Sequence, residues 1–136
     1  VISVMGNLVP KALSDMVAAR AAGDVSRAGE IAAEIGPLLK CVGVKAHGVR
    51  ELPGGRKLQV VDGFRNPLPL KTMMAALGMI GRYGRRPLGL MSQPAIDVVR
   101  GAVRAVWEAA PQHLRPIEAA FDVNIAERLE DDAVWR

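Results

Sequence analysis

The sequence has few of the residues that build disulfide frameworks, metal sites and base-stacking surfaces. Its 136 residues include one cysteine, two histidines and five aromatic side chains. The single cysteine, Cys41, excludes an internal disulfide and any multi-cysteine metal site, so we expect a reducing, cytoplasmic compartment. No apolar run approaches the ~20 residues that a membrane span requires. We therefore predict no membrane contact.

The few residues with catalytic potential do not form a recognisable pair. His47 and His113 are far apart in sequence, and we predict that both are surface or loop histidines. Cys41 is interpreted as a small apolar filler rather than a reactive thiolate. The acidic run at 130–132 is typical of a solvated helix end. The sequence therefore predicts no catalytic residue, no cofactor and no metal site.

The charged residues do not indicate a nucleic-acid partner. The net charge is +4, from 18 Lys and Arg against 14 Asp and Glu. The closest basic clusters, at 82–86 and 50–57, are sparser than a nucleic-acid surface normally requires. Single-strand binders also need aromatic stacking platforms, which are scarce here.

The first seven residues predict a buried β-strand. The segment Val1–Asn7 is β-branched and apolar, and it breaks at Gly6 and Asn7. No other segment resembles a central parallel strand, so we expect the partners of this strand to lie outside the chain. Because the first residue is Val rather than Met, we also expect a polypeptide that was truncated or cleaved upstream.

Helical spacing dominates the following residues. Pro10–Ala22 predicts a helix that Gly23 ends, and Asp24 is placed to cap a second helix. The inner face of that second helix is predicted to include Val25, Ala28, Ile31, Ile35 and Leu38, with a kink or an early end at Pro37. Two alternating runs between Val44 and Val61, separated by Pro53-Gly54-Gly55, predict a β-hairpin.

Two further helices and a tail are predicted after the hairpin. One covers Thr72–Ile80, and the next begins near Pro94 and ends before Pro111. The apolar stripe of this second helix, meaning the residues predicted to face the core, consists of Ile96, Val99, Val103, Val106 and Trp107. We divide the chain into residues 1–42, a hairpin-like insertion at 43–65, a helical domain at 66–110 and a helical or partly disordered tail at 111–136.

Three stretches, in order, resemble the C-terminal third of the dihydrodipicolinate synthase and N-acetylneuraminate lyase family. The segment Val1–Asn7 is similar to the last strand of the family's barrel. Asn66–Lys71 resembles its Asn-Pro-x-Pro-x-Lys turn, and Arg85–Leu88 resembles the Arg-x-Pro-Leu segment before its final helix. The likeness extends over about residues 1–109, whereas 44–65 is longer than the usual connection and 114–136 continues past the usual end.

This resemblance implies an α/β fold, a (β/α)₈ TIM barrel, of which the chain is the last strand and the mainly helical C-terminal region. It implies a class I aldolase or lyase in which a barrel-strand lysine forms a Schiff base with pyruvate or a related 2-oxo acid. That lysine would lie in the missing N-terminal barrel segment, so this chain alone is expected to be inactive. The implied role of the segment is to close the barrel and to make contacts in a homo-oligomer.

The resemblance carries over one substrate-binding residue, Ile2, which matches the last-strand isoleucine whose main-chain carbonyl faces the active site. Val4 replaces the serine with which sialic-acid lyases hold the sugar chain, so a shorter 2-oxo acid is favoured. Lys71 matches a structural lysine of the motif. Two alternatives stay open: a non-catalytic helical interaction or assembly module, and a basic nucleic-acid binder.

Overall fold

The computed structural model describes residues 2–136, and in that range the protein consists of helices and one two-stranded sheet. The α-helices are α1 (Pro10–Ala21), α2 (Val25–Glu34), α3 (Gly36–Leu39), α4 (Leu68–Ala76), α5 (Gln93–Ala109), α6 (Arg115–Phe121) and α7 (Ile125–Glu130). The strands are β1 (Gly43–Glu51) and β2 (Lys57–Arg65). Short 3₁₀ turns lie at Val4–Asn7, Lys40–Val42, Pro111–His113 and Asp132–Trp135.

The strand predicted over the first seven residues is not present in the part that the structure describes. Val1 lies outside the described residues, Ser3 is extended, and Val4–Asn7 forms a 3₁₀ turn. A single strand cannot satisfy its backbone hydrogen bonds without a neighbour. The two described strands pair with each other, so this segment forms local hydrogen bonds instead. For example, the Leu8 N–H donates to the Met5 carbonyl at 3.0 Å.

The first three helices follow the sequence prediction closely. Pro10 opens α1, and Gly23, at φ +85°, follows its end. The Asp24 carboxylate caps α2 by accepting a hydrogen bond from the Arg27 N–H at 2.9 Å. The helical run is interrupted at Ile35, two residues before Pro37, and only the short α3 continues. Val25 was predicted to face inward, but 57% of it is exposed.

The predicted hairpin is confirmed, with strands longer than the pattern indicated. Leu52–Gly55 forms the turn, in which Gly55 N–H donates to the Leu52 carbonyl at 3.0 Å. Pro53 takes the second position and Gly54, at φ +90°, the third, which is the arrangement of a type II turn. The buried Val44 and Ala46 lie on the face of β1 that packs against α5.

Helix α4 begins four residues before its predicted start and ends four residues before its predicted end. Pro69 does not break it because the proline occupies the first turn, where no N–H is needed. Gly78 follows the end of α4 at φ +82°. Helix α5 has its predicted stripe, in which Ile96, Val99, Val103 and Val106 are all buried.

The tail is helical and packs against α5. Arg100 donates from Nε and Nη2 to the Leu129 carbonyl at 2.9 and 2.6 Å. The Arg104 Nη2 donates to the same oxygen at 2.9 Å. The indole of Trp135 is 1% exposed and donates to the Arg128 carbonyl. These contacts satisfy the carbonyls at the end of α7 that no helical N–H can reach.

The core is continuous from the first turn to the last. Its fully buried side chains include Met5, Leu38, Met73, Leu77, Leu114, Ile125 and Trp135. Within residues 2–136, every buried side-chain nitrogen or oxygen has a hydrogen-bond partner. Over the same residues, we find no helix with the length and apolar character needed to cross a bilayer.

Candidate functional site

An open groove brings together two of the three sequence motifs. Val4 and Asn7 of the N-terminal turn form one side, and the segment 66–71 forms the other. Met74 and Ile80 complete the lining, and the groove has a volume of about 370 Å³. The two motifs are some 60 positions apart in the printed sequence, so this proximity comes from the fold.

The segment Asn66–Lys71 is held firmly at both ends. The Asn66 N–H donates to the Val42 carbonyl at 2.9 Å, and the Asn66–Pro67 peptide is cis. Lys71 N–H donates to the Pro67 carbonyl at 2.9 Å, and Leu70 is buried in the core. The backbone on this side of the groove is therefore fixed by hydrogen bonds and packing together.

The N-terminal side of the groove combines buried and exposed residues. Met5 is fully buried, and the Asn7 amide donates to the Val4 carbonyl at 3.1 Å. Ile2, the residue carried over as substrate-binding, has a fully exposed side chain and lies on a different depression, one of about 510 Å³ beside Pro10 and Leu13. Whether Ile2 binds substrate stays a prediction.

None of the five lysines is buried. Lys11, Lys40, Lys45 and Lys57 are exposed, and Lys71, which lines the groove, is half-buried. Lys11 forms an ion pair with Asp15 at 2.6 Å. A Schiff-base lysine needs a desolvated environment that favours its neutral amine. No lysine of this chain has such an environment in the structure.

The structure gives His113 a partner that local spacing did not reveal. Its Nε2 lies 2.6 Å from a carboxylate oxygen of Glu34, and the imidazole side chain is 10% exposed. The pair joins α2 to the turn before α6. His113 is thus a loop histidine, as predicted, with a carboxylate partner that the sequence did not reveal. His47 is exposed on β1, as expected. Among the described residues, no cluster of three or more potential metal ligands occurs.

Cys41 and the acidic tail have structural roles. Burial raises the pKa of the Cys41 thiol, which agrees with an apolar filler and not with a nucleophile. A hydrogen bond from Arg104 lowers the pKa of Glu130, and one from Arg100 lowers the pKa of Asp132. The two carboxylates lie on the surface, as predicted, but they are ion-paired with α5 at 2.5 and 2.6 Å.

Three curated proteins are similar to most of this chain, and each is named 4-hydroxy-tetrahydrodipicolinate synthase. The protein from Thermotoga neapolitana is 28% identical over 104 residues. Those from Stutzerimonas stutzeri and an Acidovorax species are 30% identical over 103 and 31% identical over 104 residues. Each alignment covers 76% of this chain but only 28 to 29% of the relative. The chain thus spans less than a third of the length of these relatives. No family model matches it, and no solved structure matches it significantly.

Proposed function

Because this chain belongs to the dihydrodipicolinate synthase family and covers only the C-terminal part of its relatives, we propose that it is the C-terminal segment of a pyruvate-dependent lyase or aldolase. The motif resemblance predicted this family, and the three relatives confirm it. In the proposal, the remaining barrel supplies the Schiff-base lysine and binds pyruvate or a related 2-oxo acid. The segment closes the barrel and contributes contacts to a cytoplasmic homo-oligomer.

The observation that best supports a missing barrel segment is an apolar surface along α1 and α2. An open groove of about 580 Å³ lies there, and its lining includes Met16, Val17 and Val25. Val17 is 38% and Val25 is 57% exposed. In the TIM-barrel architecture each helix packs its apolar face on the strands. Barrel strands would cover these valines in the same way.

The exposure of the N-terminal segment also agrees with this proposal. The side chain of Ile2 is fully exposed, and Ser3 has the extended backbone of a strand residue. Neighbouring barrel strands would extend this short piece into a paired strand, and they would leave the Ile2 carbonyl facing the substrate. The apolar Val4 cannot hydrogen-bond a sugar chain, so the proposed substrate is a short 2-oxo acid with a small aldol partner.

The environments of the lysines support the proposal that the nucleophile lies outside this chain. All five are exposed or half-buried, so none has the desolvated site that activates an amine. Lys71 borders the groove beside Asn7 and Asn66. We assign it a role in holding this turn and no role as the Schiff-base residue.

The proposal is tested by trapping the imine in the natively purified protein. Incubation with pyruvate and borohydride, followed by intact-mass and peptide mass spectrometry, should show a reduced pyruvyl adduct on a lysine outside residues 1–136. A parallel reaction without pyruvate is the control. No adduct on any chain that contains or co-purifies with this segment would contradict the proposal, and so would an adduct on Lys71.

A second candidate function is a non-catalytic assembly module, and the closed core favours it. Buried residues from both ends, such as Met5 and Trp135, belong to one cluster. The N-terminal residues also form a turn and not a bare strand edge. A bare, monodisperse 136-residue species without an adduct would support this alternative.

A further inference from the structure

An opening lies at the base of the hairpin, and of the residues in the family motifs only Asn66 lines it. Its volume is about 720 Å³, and its lining consists of Val42–Lys45 and Gly63–Asn66. It contains two cationic side chains, Lys45 and Arg65, and no carboxylate. Neither cation takes part in an ion pair within residues 2–136. This opening is therefore an unneutralised positive region.

The strand register places the two cations on one face with room between them. Lys45 is opposite Gly63, and Arg65 is opposite Gly43. The two charged residues are thus diagonal neighbours, which are typically about 7–8 Å apart. A Cβ atom placed on Gly63 would meet nothing within 4 Å, so this space is open. Because Gly43 and Gly63 have no side chains, backbone atoms alone form the floor between the two cations, which we call the glycine floor.

The two carboxylates of the hairpin strands do not neutralise this pair. Asp62 is on the opposite face of the sheet, because side chains alternate along a strand, and it is bound by Arg50 at 2.5 Å. Glu51 shares the face of Lys45 but lies at the far end, opposite Lys57. His47, the next residue after Lys45 on that face, adds no negative charge. The base of the outer face therefore has only cationic or neutral groups.

We propose that the base of the hairpin is a binding site for a small organic anion that carries a carboxylate or phosphate on a short apolar body. The Arg65 guanidinium can donate two parallel hydrogen bonds to either group, and Lys45 adds a point charge across the glycine floor. Val42, which is 40% exposed, supplies apolar contact at the edge. This inference does not depend on the proposed lyase function.

Calorimetric titration of the natively purified protein at low ionic strength tests the site. Inorganic phosphate and succinate are added in separate experiments, and we expect saturable binding of at least one of them. Tighter binding of phosphate would identify a phosphate ester as the ligand class, and tighter binding of succinate would identify a dicarboxylate. Absence of saturable binding of both probes would overturn the proposal.

Substitutions then locate the binding. Arg65→Gln and Lys45→Gln should each weaken it at least ten-fold, whereas the matched control Lys57→Gln, at the far end of the same face, should leave it unchanged. Equal losses in all three variants would show general attraction to a basic surface, and retained affinity in Arg65→Gln or Lys45→Gln would place the anion elsewhere. Either result overturns the site.

A fourth variant separates a shaped site from charge alone. Gly63→Val retains both cations and suits a strand, but its side chain occupies the space between them. We expect at least a five-fold loss of affinity with an unchanged far-ultraviolet circular dichroism spectrum. Unchanged affinity would show that the glycine floor has no role, and the proposed pocket would then be wrong.

Discussion

At the scale of single residues, Gly78 occupies a position where a side chain would not fit. Its φ is +82°, and a Cβ atom there would lie 2.8 Å from Val123 Cγ1 and 3.2 Å from the guanidinium carbon of Arg128. Both the left-handed backbone and the close approach of the tail therefore require glycine. The stop after α4 and the docking of the tail depend on the same residue.

We expect Gly78→Ala to lower the free energy of unfolding by roughly 1–3 kcal/mol, from backbone strain and from overpacking. Gly23→Ala is the matched control, because Gly23 has φ +85° but open space around it. Chemical denaturation of the two variants should show the larger loss for Gly78→Ala. Equal losses would mean that crowding against Val123 has no energetic effect.

Residue chemistry was predictable where it depends on neighbours in sequence. Asp24 was identified as a cap because its acceptor serves an N–H three residues later. The contact between His113 and Glu34 could not be found in this way, because the two are 79 positions apart. Chain folding alone brings them together.

At the scale of elements, the tail is joined to α5 by charged side chains. Arg100 and Arg104 contact both the carboxylates of the tail and the carbonyl end of α7. The guanidinium of Arg100 also lies over the Trp135 ring, 5.9 Å from its centre. The sequence predicted a tail that is helical or partly disordered. The arginines that hold it are on the polar face of α5, where a sequence pattern indicates only exposure to solvent.

Tail docking should weaken in acid. The folded pKa values of Glu130 and Asp132 are lowered, first by hydrogen bonds from Arg104 and Arg100. Their contribution to stability is therefore present at neutral pH and is lost as the pH falls below the usual carboxyl range of about 4. The effect should be modest because both carboxylates are exposed.

The matched comparison is the double variant Glu130→Gln with Asp132→Asn. Its thermal midpoint should be lower than that of the parent at pH 7, and the difference should shrink at about pH 2, as more of the parent's carboxylates become protonated. A difference of the same size at both pH values would contradict the ion-pair explanation.

At the scale of the whole molecule, the exposed valines of α1 and α2 distinguish the two proposed functions. If a barrel covers Val17 and Val25, the natively purified protein should lose roughly 1.5–3 kcal/mol of stability for each Val→Ser substitution. Val98, which is 47% exposed on α5, provides the control, and Val98→Ser should have little effect. Equal decreases of the thermal midpoint in all three variants would favour a free-standing module.

The sequence by itself determined the family, the hairpin with its Pro53-Gly54 turn, and most helices, because these depend on motifs and on periodicity within a short window. It also predicted that the nucleophile lies outside the chain, and this stays a prediction. Only the tertiary structure decided the 3₁₀ turn at Val4–Asn7, the groove between that turn and Asn66–Lys71, and the cation pair at the hairpin base. The groove and the cation pair depend on contacts between separate segments, which are settled by packing and backbone pairing. The turn forms because no described strand pairs with this segment.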